Sequence, residues 1–262
     1  MRKIILVLVS ATVLAACGSS DASSGPSGGT APITVSPTPE PSPPAWTVPL
    51  MNEAYHPSVH PAQFSDKITN KYFPLTPGTV LVYEGTRDGV PLRIELTVTN
   101  DTKIIMGVKC IVVRDIVTGA LEERTSDWYA QDSSGNVWYF GEDTKEYTNG
   151  VVSSTAGSWE AGVDGALPGI IMQANPMQGD AYRQEYRPTV AEDVAMVKQL
   201  NASAHVPAGN YSNVLVTNDR DLLDLNKDED KYYAPGVGVV KLTGLVNGHR
   251  EEVWLTSILT AT

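Results

Sequence analysis

Aromatic and acidic side chains crowd two neighbouring stretches of this chain, and these are its best candidates for chemistry. The first runs Asp127-Trp-Tyr-Ala-Gln-Asp-Ser-Ser-Gly-Asn-Val-Trp-Tyr-Phe-Gly-Glu-Asp143. Its centre suits a tight hairpin, because Gly135 is free to take positive φ and Asp132 can cap the turn. The aromatics that flank the turn have two readings. Trp128, Tyr129, Trp138, Tyr139 and Phe140 are cross-strand packing, or some of them form an aromatic face for a ligand. The second stretch, Gly157 to Met172, holds four glycines and one proline around Trp159, Glu160 and Asp164. That composition predicts a long structured loop, either functional or covering an open end of a sheet. As a binding site, Trp128, Trp138, Tyr139 and Trp159 would give stacking or apolar contact. Glu142, Glu160 and Asp164 would favour a cationic or hydroxyl-bearing partner over an anionic one.

The residues support no catalytic motif. The one G-x-S-x-G match, Gly25-Pro-Ser-Gly-Gly29, lies in a stretch that cannot build a strand-to-helix elbow. No H-E-x-x-H, P-loop or G-x-G-x-x-G occurs. His56 and His60 sit beside a linker, His205 before a Pro-Ala-Gly turn and His249 after Asn247-Gly248, so none is placed for a nucleophile relay. The expectation is a non-enzymatic binding protein with no cofactor and no metal. The alternative is a hydrolase of glycosidase type that uses a carboxyl pair among Glu142, Glu160, Asp164 and Glu185. Asp221-Leu-Leu-Asp-Leu-Asn-Lys-Asp-Glu-Asp230 alternates acids somewhat like a calcium loop. Glu229 takes the place of the required glycine and no closing Glu follows, so a solvated acidic loop is expected. Cys110, inside the apolar run Val108 to Val113, reads as a buried core thiol.

The elements that must position these groups begin with an export signal. Arg2 and Lys3 precede the apolar core Ile4 to Leu14, too short for the ~20 apolar residues of a membrane span. Leu14-Ala-Ala-Cys17 resembles a bacterial lipobox. The resemblance implies cleavage after residue 16, diacylglycerol on the Cys17 sulfur and palmitate-type acylation of the new amine. Residues 17–44 are rich in Ser, Gly and Pro and read as a disordered tether, its proline half an extended spacer. The chain is expected to sit on the extracytoplasmic face of a membrane through that anchor, in the outer membrane or on the outer face of the plasma membrane.

Charge fits this placement. The 262 residues hold 19 Lys+Arg against 30 Asp+Glu, a net charge of −11 that excludes a nucleic-acid binder. Removing residues 1–16 takes off two positive charges, so the mature chain carries 17 minus 30, or −13. Acyl chains rather than charge must then hold it to an anionic surface.

Residues 45–262 read as one all-β domain with little helix, a curved antiparallel meander forming a half-barrel or barrel. Short strand signals recur, among them Val80–Glu84, Leu92–Val98, Val108–Arg114, Asn213–Thr217, Val237–Leu242 and Glu252–Leu255. Turn signals such as Arg87-Asp-Gly89 and Met106-Gly107 separate them. Leu92, Ile94, Leu96 and Val98 alternate with Arg93, Glu95 and Thr97, giving one core face and one wet face. Residues 190–200 suit either helix or strand, and the β-branched Val190, Val194 and Val197 favour strand.

The hairpin at 127–142, Ile68–Thr79, Gly157–Met172, Tyr182–Glu185 and Ala191–Asp193 resemble an uncharacterised family of bacterial secreted proteins and lipoproteins. No activity comes with that resemblance. More loosely, His205–Tyr211 and Tyr233–Lys241 are similar to segments of periplasmic lipoproteins with a half-barrel sheet. That likeness implies lipid held in a concave face; the expectation from the residues is wider, a small, lipidic or saccharide ligand or another envelope component. The sequence departs from them in lacking a clear long apolar helix to plug such a barrel.

Overall fold

The computed structural model describes residues 54–260 apart from 225 and 247; the signal segment, Cys17 and the tether lie outside the described residues. A short 3-10 turn at Pro61–Gln63 leads into β1 (Phe64–Ser65). A first meander follows: β2 (Thr79–Arg87), β3 (Val90–Ile105), β4 (Val108–Gly119), β5 (Glu123–Asp132) and β6 (Val137–Thr148). Five short strands come next: β7 (Val151–Ser154), β8 (Trp159–Glu160), β9 (Leu167–Met172), β10 (Ala181–Arg183) and β11 (Glu185–Tyr186). A second meander ends the chain: β12 (Asp193–Val206), β13 (Gly209–Asp221), β14 (Asp228–Ala234), β15 (Gly238–Val246) and β16 (His249–Thr260). All sixteen belong to one antiparallel sheet, and no α-helix occurs among the described residues.

Local sequence explains most of these elements. Asp88 and Gly89 both take positive φ, as do Met106 and Gly107, and Asn149 and Gly150. Two consecutive positive values match the right-handed twist of the flanking strands, so these pairs make tight hairpins. In β3 the expected alternation holds: Leu92, Ile94 and Val98 are buried while Arg93 is exposed. Residues 193–206 are strand, so the β-branched residues win over the helix formers around them.

Closure comes from an unusual seam. β16 pairs with β2, which joins the two meanders edge to edge. On the far side β9 pairs with β6 and β11 pairs with β9, while β10 pairs with β12. Residues 181–186 therefore hand the chain from one edge of the sheet to the other, and the sheet curls into a nearly closed barrel. Gly169 makes this contact fit, because a Cβ there would stand 2.3 Å from the Gln184 carbonyl oxygen.

Interior packing fills most of the barrel. Leu81, Ile94, Val214, Val240 and Val253, from five strands, share one cluster. In a second, Ile68, Tyr72 and Leu75 of the segment before β2 meet Val98, Val113 and Leu215. Asn70 fixes that segment: its Nδ2 donates to the Gly135 and Gln173 carbonyls, and its Oδ1 accepts from the Tyr72 and Phe73 amides.

Two sequence expectations are corrected. Gly157 to Met172 is not a single loop, since it contributes β8 and β9, both paired to β6. Asp221 to Asp230 is not a solvated acidic loop either. Asp221 ends β13, β14 begins at Asp228, and Asp221, Lys227 and Glu229 are buried. Cross-strand pairing to β13 and β15 overrides the poor β propensity of Asp and Glu.

Candidate functional site

A cavity of about 180 Å³ lies inside the barrel, with walls of opposite character. One wall is apolar, formed by Phe73, Leu75, Leu81, Ile94, Leu96 and Val239. Another is acidic, and strand period two builds it. Glu123, Thr125 and Asp127 of β5 alternate with outward neighbours and point inward beside Asp115 of β4 and Glu142 of β6. Register then sets acid against acid: Glu123 opposes Glu146 and Asp127 opposes Glu142, while Thr125 opposes Thr144. The two threonine hydroxyls hydrogen-bond at 2.8 Å, but like charges directly opposite are destabilising.

Burial and mutual repulsion shape these groups. Glu123 is pushed up from 4.5 to about 8, first by burial, then by Asp115, Glu146 and Asp127, with Arg87 opposing. Asp127 rises to about 8 through burial, Asp115 and Glu185, against a 2.6 Å hydrogen bond that its Oδ1 accepts from the Tyr139 hydroxyl. Burial lifts Asp115 to about 7. Glu123 and Asp127 are thus largely protonated near neutrality and Asp115 about half so. Two acceptor atoms, Asp115 Oδ1 and Glu123 Oε2, have no hydrogen-bond donor. Tyr129 and Tyr139 stack beside them with centroids 4.8 Å apart, and both line the cavity.

Other buried charges in the barrel are already in pairs. Lys231 meets Asp219 at 2.9 Å and Glu229 at 3.7 Å, Lys227 meets Asp193 at 2.6 Å, and Arg87 meets Glu251 at 3.0 Å. Of these cations only Lys231 lines the cavity, against seven acidic side chains: Asp115, Glu123, Asp127, Glu142, Glu185, Asp193 and Glu229. Among the described residues no group of three or more His, Cys, Asp or Glu is disposed to hold a metal ion.

The residues singled out in the sequence divide between this cavity and other places. Tyr139, Glu142 and Glu185 line it together. Trp128 and Trp159 do not; they are 7% and 3% exposed and belong to a third core cluster with Cys110 and Phe140. Lys103 sits 3.5 Å over the Trp128 ring and pairs with Glu160 at 2.7 Å, so Glu160 belongs to an outer contact. Trp138 is half-buried, its indole N–H donating to Asp132 at 2.8 Å, and its ring meets Phe64 edge-on. Asp164 is exposed and pairs with Arg187. Trp159 meets the Tyr139 ring edge-on at 5.4 Å and pairs in register with Glu142, but the three tryptophans, Glu160 and Asp164 do not line the cavity with Tyr139 and Glu142.

Sequence reading missed Asp115, Glu123, Asp127 and Tyr129 as cavity residues. A signal existed: Glu123-x-Thr125-x-Asp127-x-Tyr129 is a period-two polar stripe on the same strand face that turns inward.

Comparison with known proteins finds no matching family and no matching curated sequence. Two solved structures are similar in fold. One is an exported-protein candidate with a YmcC-like fold from Bacteroides fragilis, 14% identical, with a TM-score of 0.42 over 73% of this chain and 100% of that one. The other is a lipoprotein candidate from Parabacteroides distasonis, 13% identical, with a TM-score of 0.38 over 72% of this chain and 99% of that one.

Proposed function

We propose that this chain is an extracytoplasmic lipoprotein, held to a membrane by acylated Cys17, that binds a small molecule inside its barrel without transforming it. The lipobox at Leu14–Cys17 and the tether of residues 18–44 support the anchor. The cavity supports the binding, and one observation carries it: the space inside the barrel is lined both by aliphatic and aromatic groups and by carboxyls with unmet acceptor atoms. Apolar lining with a few convergent polar groups is the pattern of small-molecule sites. At about 180 Å³ the space is close to the ~150 Å³ that admits a benzene ring in an engineered cavity.

Acyl labelling of the wild type against Cys17→Ala tests the anchor; equal label in both overturns it. Native mass spectrometry of the full chain, extracted gently from its own envelope, tests the binding. A retained mass should be lost in Tyr129→Leu and kept in Trp138→Leu. Loss in Trp138→Leu alone would move the site to the outer hairpin.

A second reading draws on one observation, that Glu142 and Glu185 line the same cavity and Asp127 stands opposite Glu142. Paired carboxyls about 5–10 Å apart are the machinery of glycoside hydrolysis. Release of chromophore from aryl glycosides by the wild type, and not by Glu142→Gln, would establish that reading.

A further inference from the structure

We infer that the barrel cavity selects a small organic cation, a primary ammonium carried on an aromatic or short aliphatic body. The ammonium would stand against Glu123 and Asp115, whose Oε2 and Oδ1 lack donors, and the body against Tyr129, Tyr139 and the aliphatic wall. This inference rests on the proposed binding function and adds the ligand's chemical class.

Charge complementarity makes the first part of the case. Seven acids and one lysine line the space, and that lysine is engaged by Asp219 and Glu229. Among the described residues no ion pair includes Asp115, Glu123 or Asp127. An anionic ligand would find the cavity's one lysine already engaged by Asp219 and Glu229, and it would oppose ionisation of the carboxyls around it.

The second part is independent of the acid count. Glu123 is 5% exposed, lines the cavity, and its Oε2 accepts no hydrogen bond. A buried acceptor without a donor costs roughly 1–3 kcal/mol. An ammonium has three donors and no acceptor, which is what this wall lacks. Metal ions are less suited, because the described carboxyls form no metal-binding group. An organic cation also uses the apolar wall and the stacked tyrosines, where ring faces favour positive charge.

Binding should release protons. In the empty cavity burial and repulsion from Asp115, Glu146, Asp127 and Glu185 keep protons on Glu123 and Asp127, with only Arg87 and the Tyr139 hydroxyl opposing. An ammonium beside them reverses that balance, so each carboxyl that ionises gives its proton to the buffer.

The test is calorimetric titration of the full chain in non-ionic detergent at pH 7 with 2-phenylethylammonium and with neutral 2-phenylethanol, which shares its body. Two buffers of different ionisation enthalpy count the protons. The amine should bind roughly tenfold more tightly than the alcohol, with proton release. Glu123→Gln/Asp127→Asn should abolish both the preference and the release while keeping its strand circular dichroism. These isosteres keep the side-chain size, and the amide oxygen that Asp127→Asn introduces can still accept from the Tyr139 hydroxyl. Equal affinity for the two probes, or an unchanged proton count in the variant, overturns the inference. If neither probe binds but native mass spectrometry shows a retained mass, the cation assignment falls and the binding function stands. If neither probe binds and no mass is retained, both fall.

Discussion

Replacing Glu123 by Gln should stabilise the protein above neutrality and change little below pH 5. Glu123 is buried on the inner face of β5 and rises from 4.5 to about 8, chiefly through burial and then through Asp115, Glu146 and Asp127, while Arg87 pulls the other way. A carboxyl whose pKa is higher folded than unfolded holds its proton in the native state. The stability it contributes is therefore complete below the unfolded value near 4.5 and is lost as pH climbs through about 8. Between pH 6 and 8 the unfolded carboxyl is already ionised, whereas the folded one still keeps most of its proton. At 1.36 kcal/mol per proton per pH unit, that window removes about 2 kcal/mol. Glutamine keeps the size of the side chain and cannot ionise, so its variant escapes this loss. Urea unfolding of the full chain in non-ionic detergent, followed by the fluorescence of buried Trp128 and Trp159, gives the comparison. The stability difference between Glu123→Gln and wild type should widen by about 2 kcal/mol from pH 6 to pH 8. Parallel pH curves for the two proteins would refute the burial of an uncompensated acid at this site.

Three other substitutions and treatments probe the frame around the cavity. Gly169→Ala places a methyl group against the Gln184 carbonyl at the barrel seam and should cost about 1–3 kcal/mol, with amide exchange rising first in residues 181–186. Lys227→Met breaks a pair in which both partners are 4% exposed and should cost about 3–5 kcal/mol by thermal unfolding. Adding Asp193→Asn should recover most of that loss. Cys110 is fully buried, and burial pushes its thiol up to about 12, so iodoacetamide should label it only after denaturation, as intact mass will show.

The fold was legible where its causes are local. Alternation in Leu92–Val98 and the paired turn residues Asp88-Gly89 and Met106-Gly107 define hairpins without help from the rest of the chain. Two strands were hidden because their local signals oppose their fate. β9 contains Pro168 and Gly169, which normally disfavour strand, yet the glycine is what lets β11 approach. β14 opens Asp-Glu-Asp-Lys, a run that composition assigns to solvent, but closure of the barrel buries Glu229 and Lys231 against Asp219. The site was legible only in part, for the same reason. Tyr139, Glu142 and Glu185 stood out by type, yet nothing local separates Trp128 and Trp159, which are core, from Tyr129, which faces the cavity. Asp115, Glu123 and Asp127 come together within the first meander, but the burial that raises them is complete only when the second meander closes the barrel.

The most direct measurement is an experimental structure of the protein isolated gently from its own envelope, with the barrel contents resolved. Ligand density is expected in the barrel cavity, its body against Tyr129, Tyr139 and the aliphatic wall and its donor group against the Glu123 carboxyl. A cavity holding only water, or density confined to the outer hairpin at Trp138, would contradict a binding site inside the barrel.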